Sequence, residues 1–173
     1  MNDGWLWLEI TLAALVALVF GVVFEGAPYV PTKRKDVRRA LKLAKLKPGE
    51  LIVDLGSGDG RLLAEAAERG YRAIGYELSP ILVLISRLTL RKYRDSVTVR
   101  NTNFWYTKLP DDTKVVFVFL AGPFMKRLAR YMQREANRLG RSIELISYGF
   151  ELPGHTPASR SGVLKRYVIS PEA

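Results

Sequence analysis

The sequence lacks cysteine and contains a single histidine, and these absences remove several classes of chemistry. Without thiols the chain can form no disulfide, no thiolate metal site and no cysteine nucleophile. The one histidine, His155, cannot build a metal site alone, and no group of histidines and carboxylates has the spacing of metal ligands. We therefore expect neither a disulfide framework nor a bound metal.

Basic residues are absent from the first 32 positions, and all 27 lysines and arginines follow from Lys33 onward. The net charge of +10 is compatible with nucleic acid, an anionic lipid surface or an acidic protein as partner. No RNA-binding signature accompanies the charge, so nucleic acid is the least expected partner. Four cations share one face of a predicted helix and could meet solvent or anionic lipid headgroups. They are Lys126, Arg130, Arg134 and Arg138.

A long apolar run occupies the region without basic residues. Residues 5–24, WLWLEITLAALVALVFGVVF, carry one charge, that of Glu9, and as a helix would span about 30 Å, the thickness of a bilayer's hydrocarbon core. A signal peptide and a buried core helix are the alternatives, but no basic residue precedes the run. The cations that follow favour a cytoplasmic domain. We therefore expect a single-pass membrane protein, anchored by residues 1–27, with residues 28–173 on the cytoplasmic side.

Beyond this run, segments typical of strands and helices alternate. The apolar stretches LIVDL, RAIGYE and KVVFVFL predict buried strands, and SPILVLISRLTLRKYR predicts a helix capped by Ser79. Strands that alternate with helices of this length form right-handed βαβ units. The final stretch, VLKRYVIS, predicts an antiparallel strand. The expected fold is α/β, with a mostly parallel sheet and helices on both faces.

The sequence IVDLGSGDGR brings glycines and carboxylates to the end of the first predicted strand, where ligands of parallel sheets bind. Glycines allow a tight turn that lets a ligand approach the backbone. The spacing D-x-G-x-G-x-G differs from the G-x-G-x-x-G that cradles a pyrophosphate, and Asp54 and Asp59 would repel such a group. A ligand with an ammonium and a sulfonium centre fits better. The three glycines are Gly56, Gly58 and Gly60.

The motif DLGSGDGR, followed 21 residues after Gly56 by Glu77, resembles the first two motifs of the class I S-adenosylmethionine-dependent methyltransferases of Rossmann-like fold. The resemblance implies S-adenosyl-L-methionine as cofactor, with Asp54 near its amino group and Glu77 on the ribose hydroxyls. Asn103 stands where the family commonly has an aspartate for the adenine amine, and its amide oxygen can accept the same hydrogen bond. The expected cofactor-binding residues are Tyr29, Asp54, Gly56, Ser57, Gly58, Asp59, Gly60, Glu77, Asn103 and Phe104.

The stretches PYVPT, GYELSP and NFW extend the resemblance over most of residues 28–157. They are similar to a subgroup that includes membrane-anchored mitochondrial protein-lysine methyltransferases, which modify the adenine nucleotide carrier and the c-ring protein of ATP synthase. This resemblance implies a membrane-anchored protein-lysine N-methyltransferase that acts on a membrane or membrane-near protein. Two alternatives stay open: methylation of a lipid or small lipophilic molecule, and a cofactor-binding membrane module without catalysis.

No catalytic base is evident in the sequence. An activated methyl group needs an aligned, neutral amine more than a dedicated base. Tyr148, at the end of the fifth predicted strand, and His155, in a loop with glycine and proline, are the candidates. Residues 120–123 read LAGP after the fourth predicted strand, where enzymes that methylate nucleobase amines usually carry N/D-P-P-Y/F.

Overall fold

A computed structural model describes residues 5, 7–11 and 30–172. By its internal contacts the chain divides into two compact units, Met1–Val30 and Pro31–Ala173. The second unit contains the α/β domain with all of its strands. Tyr29, one of the expected cofactor-binding residues, lies outside the described residues.

The predicted membrane anchor is corrected by the structure. Trp5 and residues 7–11 are helical, and this stretch covers only about 10 Å along a helix axis. Within the described ranges no helix has the length and apolar character needed to cross a bilayer. The prediction of a single-pass membrane protein with its domain on the cytoplasmic side was therefore wrong. Residues 12–24, the rest of the predicted span, lie outside the described residues.

Helices and strands alternate along the domain as expected. The strands are β1 (Leu51–Leu55), β2 (Arg72–Glu77), β3 (Val97–Asn101), β4 (Thr113–Val118), β5 (Ile143–Tyr148), β6 (Ser159–Ser161) and β7 (Leu164–Ile169). The helices are α1 (Arg34–Ala44), α2 (Arg61–Glu68), α3 (Pro80–Thr89) and α4 (Met125–Leu139). Ser79 caps α3 by accepting from the Leu82 amide, and Gly140 ends α4 in a left-handed conformation.

The seven strands form one sheet in the order β3-β2-β1-β4-β5-β7-β6. Strands β1 to β5 are parallel, and β7 is antiparallel to β5, which confirms the mostly parallel sheet and the antiparallel last strand. The short β6 was not predicted, because its three residues, SRS, have no apolar pattern. The chain order reverses between β1 and β4, so the crevice for a ligand lies at the carboxyl end of β1.

Helices cover both faces of the sheet, as the sequence predicts. Leu51, Val53 and Leu55 of β1 point to the core beneath α4, whereas Ile52 points to the core beneath α1, α2 and α3. Alternate residues of a strand point to opposite faces, which assigns Asp54 to the face of the three helices. The five residues of β1 are all buried, as expected of a central parallel strand.

Candidate functional site

The glycine loop connects β1 to α2 at the carboxyl edge of the sheet. The amides of Gly56 and Ser57 donate to the carbonyl oxygen of Tyr76 in β2, at 2.8 and 3.1 Å. The φ angles of Gly56, Gly58 and Gly60 are +88°, +56° and +79°, in the left-handed region that residues with a Cβ rarely adopt. The loop conformation therefore requires glycine at these positions.

Glu77 closes the loop from the end of β2. Its carboxylate is buried, and Oε2 accepts a hydrogen bond of 2.8 Å from the amide of Gly58. Oε1 accepts one of 2.8 Å from the amide of Ser79, where α3 begins. A carboxylate offers about four acceptor sites, so Glu77 can hold the loop and still accept from the hydroxyls of a ligand.

Two residues that the sequence analysis missed support the loop from below. The hydroxyl of Ser86 in α3 is fully buried and donates to the carbonyl oxygen of Gly58 at 2.7 Å. Gly75 in β2 makes room for Ser57, because a Cβ there would lie 2.6 Å from Ser57 Cβ and 2.7 Å from Leu63 Cδ1. A glycine inside a strand signals such a close approach, so Gly75 was detectable in RAIGYE. Nothing in the local sequence marks Ser86.

Asp54 carries the least compensated charge of the site. Its side chain is 4% exposed, and none of the described residues donates a hydrogen bond to its carboxylate. Burial, and then repulsion from Glu77 and Asp59, raises the pKa of the Asp54 carboxyl to about 8. A cation bound beside it would favour the ionised form. The position therefore suits a ligand's positively charged group.

Asp59 has a different environment from Asp54. Its carboxylate pairs with the guanidinium of Arg61, with Nη2–Oδ2 and Nε–Oδ1 distances of 2.7 and 2.9 Å. Arg61 also donates to the carbonyl oxygen of Thr32 at 2.7 Å, which links the loop to the segment before α1. Because the arginine offsets its charge, Asp59 contributes less to the attraction of a cation than the sequence alone suggested.

The segment after β3 lies beside Glu77, because the amide of Thr102 donates to the Glu77 carbonyl oxygen at 3.0 Å. Asn103 Oδ1 accepts from the amide of Trp105 at 3.1 Å and so caps a short 3₁₀ turn. An amide oxygen can accept a second hydrogen bond, as the adenine role would require. The ring of Phe104 is half-buried and lies 4.4 Å from that of Trp105, measured between centroids.

The two candidates for catalysis make their contacts away from the glycine loop. The Tyr148 hydroxyl donates to Asp36 Oδ2 at 3.3 Å, and its ring packs 4.5 Å from that of Phe119. Burial and the Asp36 carboxylate raise the pKa of Tyr148, so the hydroxyl stays protonated at neutral pH. His155 lies in the loop after β5, with Nδ1 3.1 Å from the carbonyl oxygen of Pro153. The structure therefore gives neither residue the surroundings of a general base.

The cationic face predicted on α4 is partly engaged within the domain. Arg138 Nε donates to Glu135 Oε2 at 3.0 Å, and Arg138 also binds Asp111. Arg134 lies 3.4 Å from Glu135, whose side chain is 1% exposed. Two of the four cations thus neutralise a buried carboxylate and stabilise the packing of α4. Lys126 and Arg130 remain exposed.

Replacing Gly56 with alanine is expected to weaken ligand binding by roughly 30-fold, about 2 kcal/mol. A Cβ at Gly56 meets no atom of the described residues within 4 Å and would therefore extend into the open space above the loop. Gly140→Ala is the matched control, since it also has a positive φ and free space around a Cβ. Both variants should lose about 1 kcal/mol of stability. Calorimetric titration with S-adenosyl-L-homocysteine distinguishes them, and equal affinities would contradict the role of Gly56.

These features fit S-adenosyl-L-methionine, which carries cationic centres and ribose hydroxyls. The uncompensated carboxylate of Asp54 suits a cation, Glu77 has free acceptor capacity, and the space above Gly56 is open. In addition, the buried Ser57 Oγ finds no hydrogen-bond partner among the described residues. A buried polar atom without a partner carries a free-energy cost that a bound ligand can relieve.

Comparison with known proteins agrees with this fit. The family model described as the ANTKMT methyltransferase domain matches residues 54–159, which include most of the site. The chain is 34% identical over 156 residues to the lysine N-methyltransferase of the ATP synthase c-ring protein from Xenopus laevis, covering 85% of this chain and 66% of that protein. It is 36% identical over 138 residues to the adenine nucleotide translocase lysine N-methyltransferase of Mus musculus, with coverages of 78% and 58%.

A third relative matches over most of its own length. The protein-lysine N-methyltransferase of Saccharolobus islandicus (strain REY15A) is 32% identical over 136 residues, which are 75% of this chain and 81% of that protein. The chain spans slightly less than two thirds of the length of the Xenopus relative and less of the mouse one.

Solved structures show the same architecture. An RNA methyltransferase from Salinibacter ruber in complex with S-adenosyl-L-homocysteine superposes with a TM-score of 0.74 and 25% identity, covering 83% of this chain and 96% of that one. A geranyl diphosphate methyltransferase in complex with its methyl donor has a TM-score of 0.55 at 20% identity, covering 66% and 48%, and shares the fold alone. These matches confirm the Rossmann-like methyltransferase fold and S-adenosyl-L-methionine as the cofactor. The chain belongs to the family defined by the ANTKMT methyltransferase domain.

Proposed function

We propose that this chain is an S-adenosylmethionine-dependent protein-lysine N-methyltransferase. The observation that carries the proposal is the identity of 32% with a protein named as a protein-lysine N-methyltransferase, over 81% of that protein's length. The longer relatives named for the ATP synthase c-ring protein and for adenine nucleotide translocase support the same amino acid as target. We further propose a lysine of a membrane protein of that kind as the substrate.

The residues of the site have separate roles in this proposal. Asp54 holds the cofactor's ammonium, directly or through water, and Glu77 accepts from the ribose hydroxyls while it fixes the loop through Gly58. Asn103 accepts from the adenine amine. When bound, the cofactor supplies an electrophilic methyl group that a neutral amine accepts with loss of one proton.

The protein must present the lysine amine without its extra proton. A lysine in water has a pKa of about 10.4, so desolvation at the site has to lower it, or water has to take the proton. The contacts of Tyr148 and His155 give no sign of a dedicated base. We therefore assign the rate to alignment and desolvation at the carboxyl edge of the sheet.

Methylation of RNA is the competing function, because of the Salinibacter structure and a 31% identity over 103 residues to the ribosomal RNA small subunit methyltransferase A of Thermotoga neapolitana. That match covers 57% of this chain and 39% of the relative. Residues 119–124, after β4, read FLAGPF and provide no amide or carboxylate side chain for a nucleobase amine. This observation favours lysine over RNA.

The test is to incubate the purified full chain with methyl-labelled cofactor and membranes from a strain that lacks it. We expect label in protein, on a lysine that mass spectrometry identifies, and no label when that lysine is replaced by arginine in the target. The Asp54→Asn variant serves as the inactive control. Label in extracted RNA or in the lipid phase, with none in protein, would contradict the proposal.

A further inference from the structure

The outward face of α3 is apolar, although it lies on the surface of the described domain. Its exposed aliphatic residues are spaced as i, i+3, i+4 and i+7, and between 44% and 62% of each is accessible to solvent. They are Ile81, Leu84, Ile85 and Leu88. Val83 and Ser86, on the other side of the helix, are buried against the sheet. Surface helices normally turn their polar face outward, so a contiguous apolar face marks a docking surface.

Cations follow this apolar face directly. Arg91, Lys92 and Arg94 are exposed in the turn after α3. The nearby acids offset them only in part: Asp95 lies 4.0 Å from Arg94, and Glu68 accepts from the Tyr93 hydroxyl at 2.6 Å. The turn therefore keeps a net positive charge.

A basic groove lies between α1 and α2, which cover the same face of the sheet as α3. The groove has a volume of about 490 Å³ and contains five cations. Two acids compensate part of this charge, since Glu65 pairs with Arg38 and Arg69, and Asp36 pairs with Arg39. Lys42 and Lys45 have no ion pair with any described residue. The five cations are Arg38, Arg39, Lys42, Lys45 and Arg69.

We propose that the face formed by α1, α2 and α3 docks on the surface of an anionic lipid bilayer without crossing it. The aliphatic side chains of α3 would enter the boundary between headgroups and acyl chains, and the cations of the groove and the turn would contact the phosphates of the headgroups. This surface is separate from the cofactor site, and the proposal does not depend on which molecule is methylated.

Charge complementarity favours lipid over other occupants. A second copy of the chain, packed through the same face, would bring the two sets of cations together, which is unfavourable. A soluble phosphate would occupy the groove but leave the four aliphatic side chains in water. An anionic bilayer offers negative charge and an apolar layer at once, so it satisfies both parts of the face.

Docking in this orientation would also position the cofactor site. Helix α3 begins at Pro80, three residues after Glu77, and Ile81 is the first of its exposed aliphatic residues. The apolar face therefore starts at the carboxyl edge of the sheet, where the glycine loop lies. A bilayer against α3 would lie beside the mouth of the site, within reach of a lysine near the lipid surface.

The absence of cysteine allows a direct test on the full chain. Leu88→Cys is labelled with a polarity-sensitive fluorophore and mixed with phosphatidylcholine vesicles that contain or lack phosphatidylglycerol. We expect a blue shift and quenching by lipid-borne quenchers only with the anionic vesicles. Arg130→Cys, on the opposite face of the sheet, is the control and should not respond. The signal is read at residue 88, so binding by the N-terminal segment does not mimic it.

Three outcomes would overturn the proposal. They are no response at residue 88 while the protein sediments with the vesicles, an equal response with neutral vesicles, and a blue shift that grows with protein concentration in the absence of lipid. The last would indicate a second copy as occupant. For the groove, Lys42→Gln with Lys45→Gln should weaken partitioning roughly 25-fold, about 5-fold per charge. The matched pair Lys126→Gln with Arg130→Gln should change it less than about 2-fold, and equal effects would overturn the assignment of the groove.

Discussion

Replacing Asp54 with asparagine is expected to stabilise the ligand-free protein above pH 8 and to remove cofactor binding at the same pH. The wild-type carboxylate is buried beside Glu77 and Asp59, and without a ligand no described residue compensates its charge. Asparagine has almost the same shape but no charge to desolvate, so the cost of burying the ionised group disappears. The same change removes the partner of the cofactor's ammonium.

The pH dependence of this effect follows from the direction of the shift. The pKa of Asp54 is raised from 3.8 to about 8 in the folded protein. Its contribution to stability is therefore fully present below about pH 4 and is lost as the pH rises through 8. The linkage slope of about 1.36 kcal/mol per pH unit allows a loss of up to about 4 kcal/mol between pH 5 and pH 8. The stability of Asp54→Asn relative to wild type should increase over that range.

Chemical denaturation of both proteins at pH 5, 6.5 and 8 would measure this difference, with the pH values chosen to span the window. Calorimetry should show binding of S-adenosyl-L-homocysteine weakened by roughly 100-fold or more in the variant at pH 8, as expected when a buried charge loses its partner. Wild-type binding below pH 8 should release a proton, visible as a dependence of the heat on the buffer. A variant that is less stable than wild type at pH 8 would argue against a buried, uncompensated carboxylate.

Replacing Gly75 with alanine is expected to destabilise the domain by about 3 kcal/mol, mainly through overpacking. The new Cβ would lie 2.6 Å from Ser57 Cβ and 2.7 Å from Leu63 Cδ1, and neither neighbour can move freely. The Ser57 amide is bonded to the Tyr76 carbonyl oxygen, and Leu63 is completely buried in α2. Inserting a methyl group into such a packed site costs about 1–3 kcal/mol, and the loop would shift in response.

Gly122→Ala is the matched control for this change. Neither glycine has a positive φ, so alanine tests space rather than backbone strain. At Gly122 the Cβ would approach only the ring of Phe150, at 3.3 Å, and that ring is 41% exposed and can turn away. We expect a loss of less than about 1 kcal/mol there. A similar loss in the two variants, measured by urea unfolding, would show that Gly75 does not set the position of Ser57.

Short-range patterns predicted the elements of the fold correctly. The apolar runs and the glycines between them identify β1, the loop and α2, because these features depend on neighbours a few residues apart. The same reasoning missed β6, whose three polar residues become a strand only by pairing with β7. It also predicted a single-pass membrane protein from composition alone, which the described structure contradicts.

Long-range contacts decided the properties of the site. Glu77 accepts from the amide of Gly58, 19 residues away, and Ser86 reaches Gly58 across 28 residues. The sequence treated Asp54 and Asp59 as equivalent carboxylates, whereas the structure pairs Asp59 with Arg61 and leaves Asp54 buried without a donor among the described residues. No local pattern shows this difference, since it depends on which groups surround each carboxylate.

The sequence by itself therefore determined the alternation of strands and helices, the position of the ligand loop and the positive charge of its ligand. Those properties depend on residue type and on spacing along the chain. The tertiary structure alone decided which carboxylate stays uncompensated and that α1, α2 and α3 share one face of the sheet. It also showed that the apolar side chains of α3 point outward, because burial depends on what the rest of the chain places against each side of a helix.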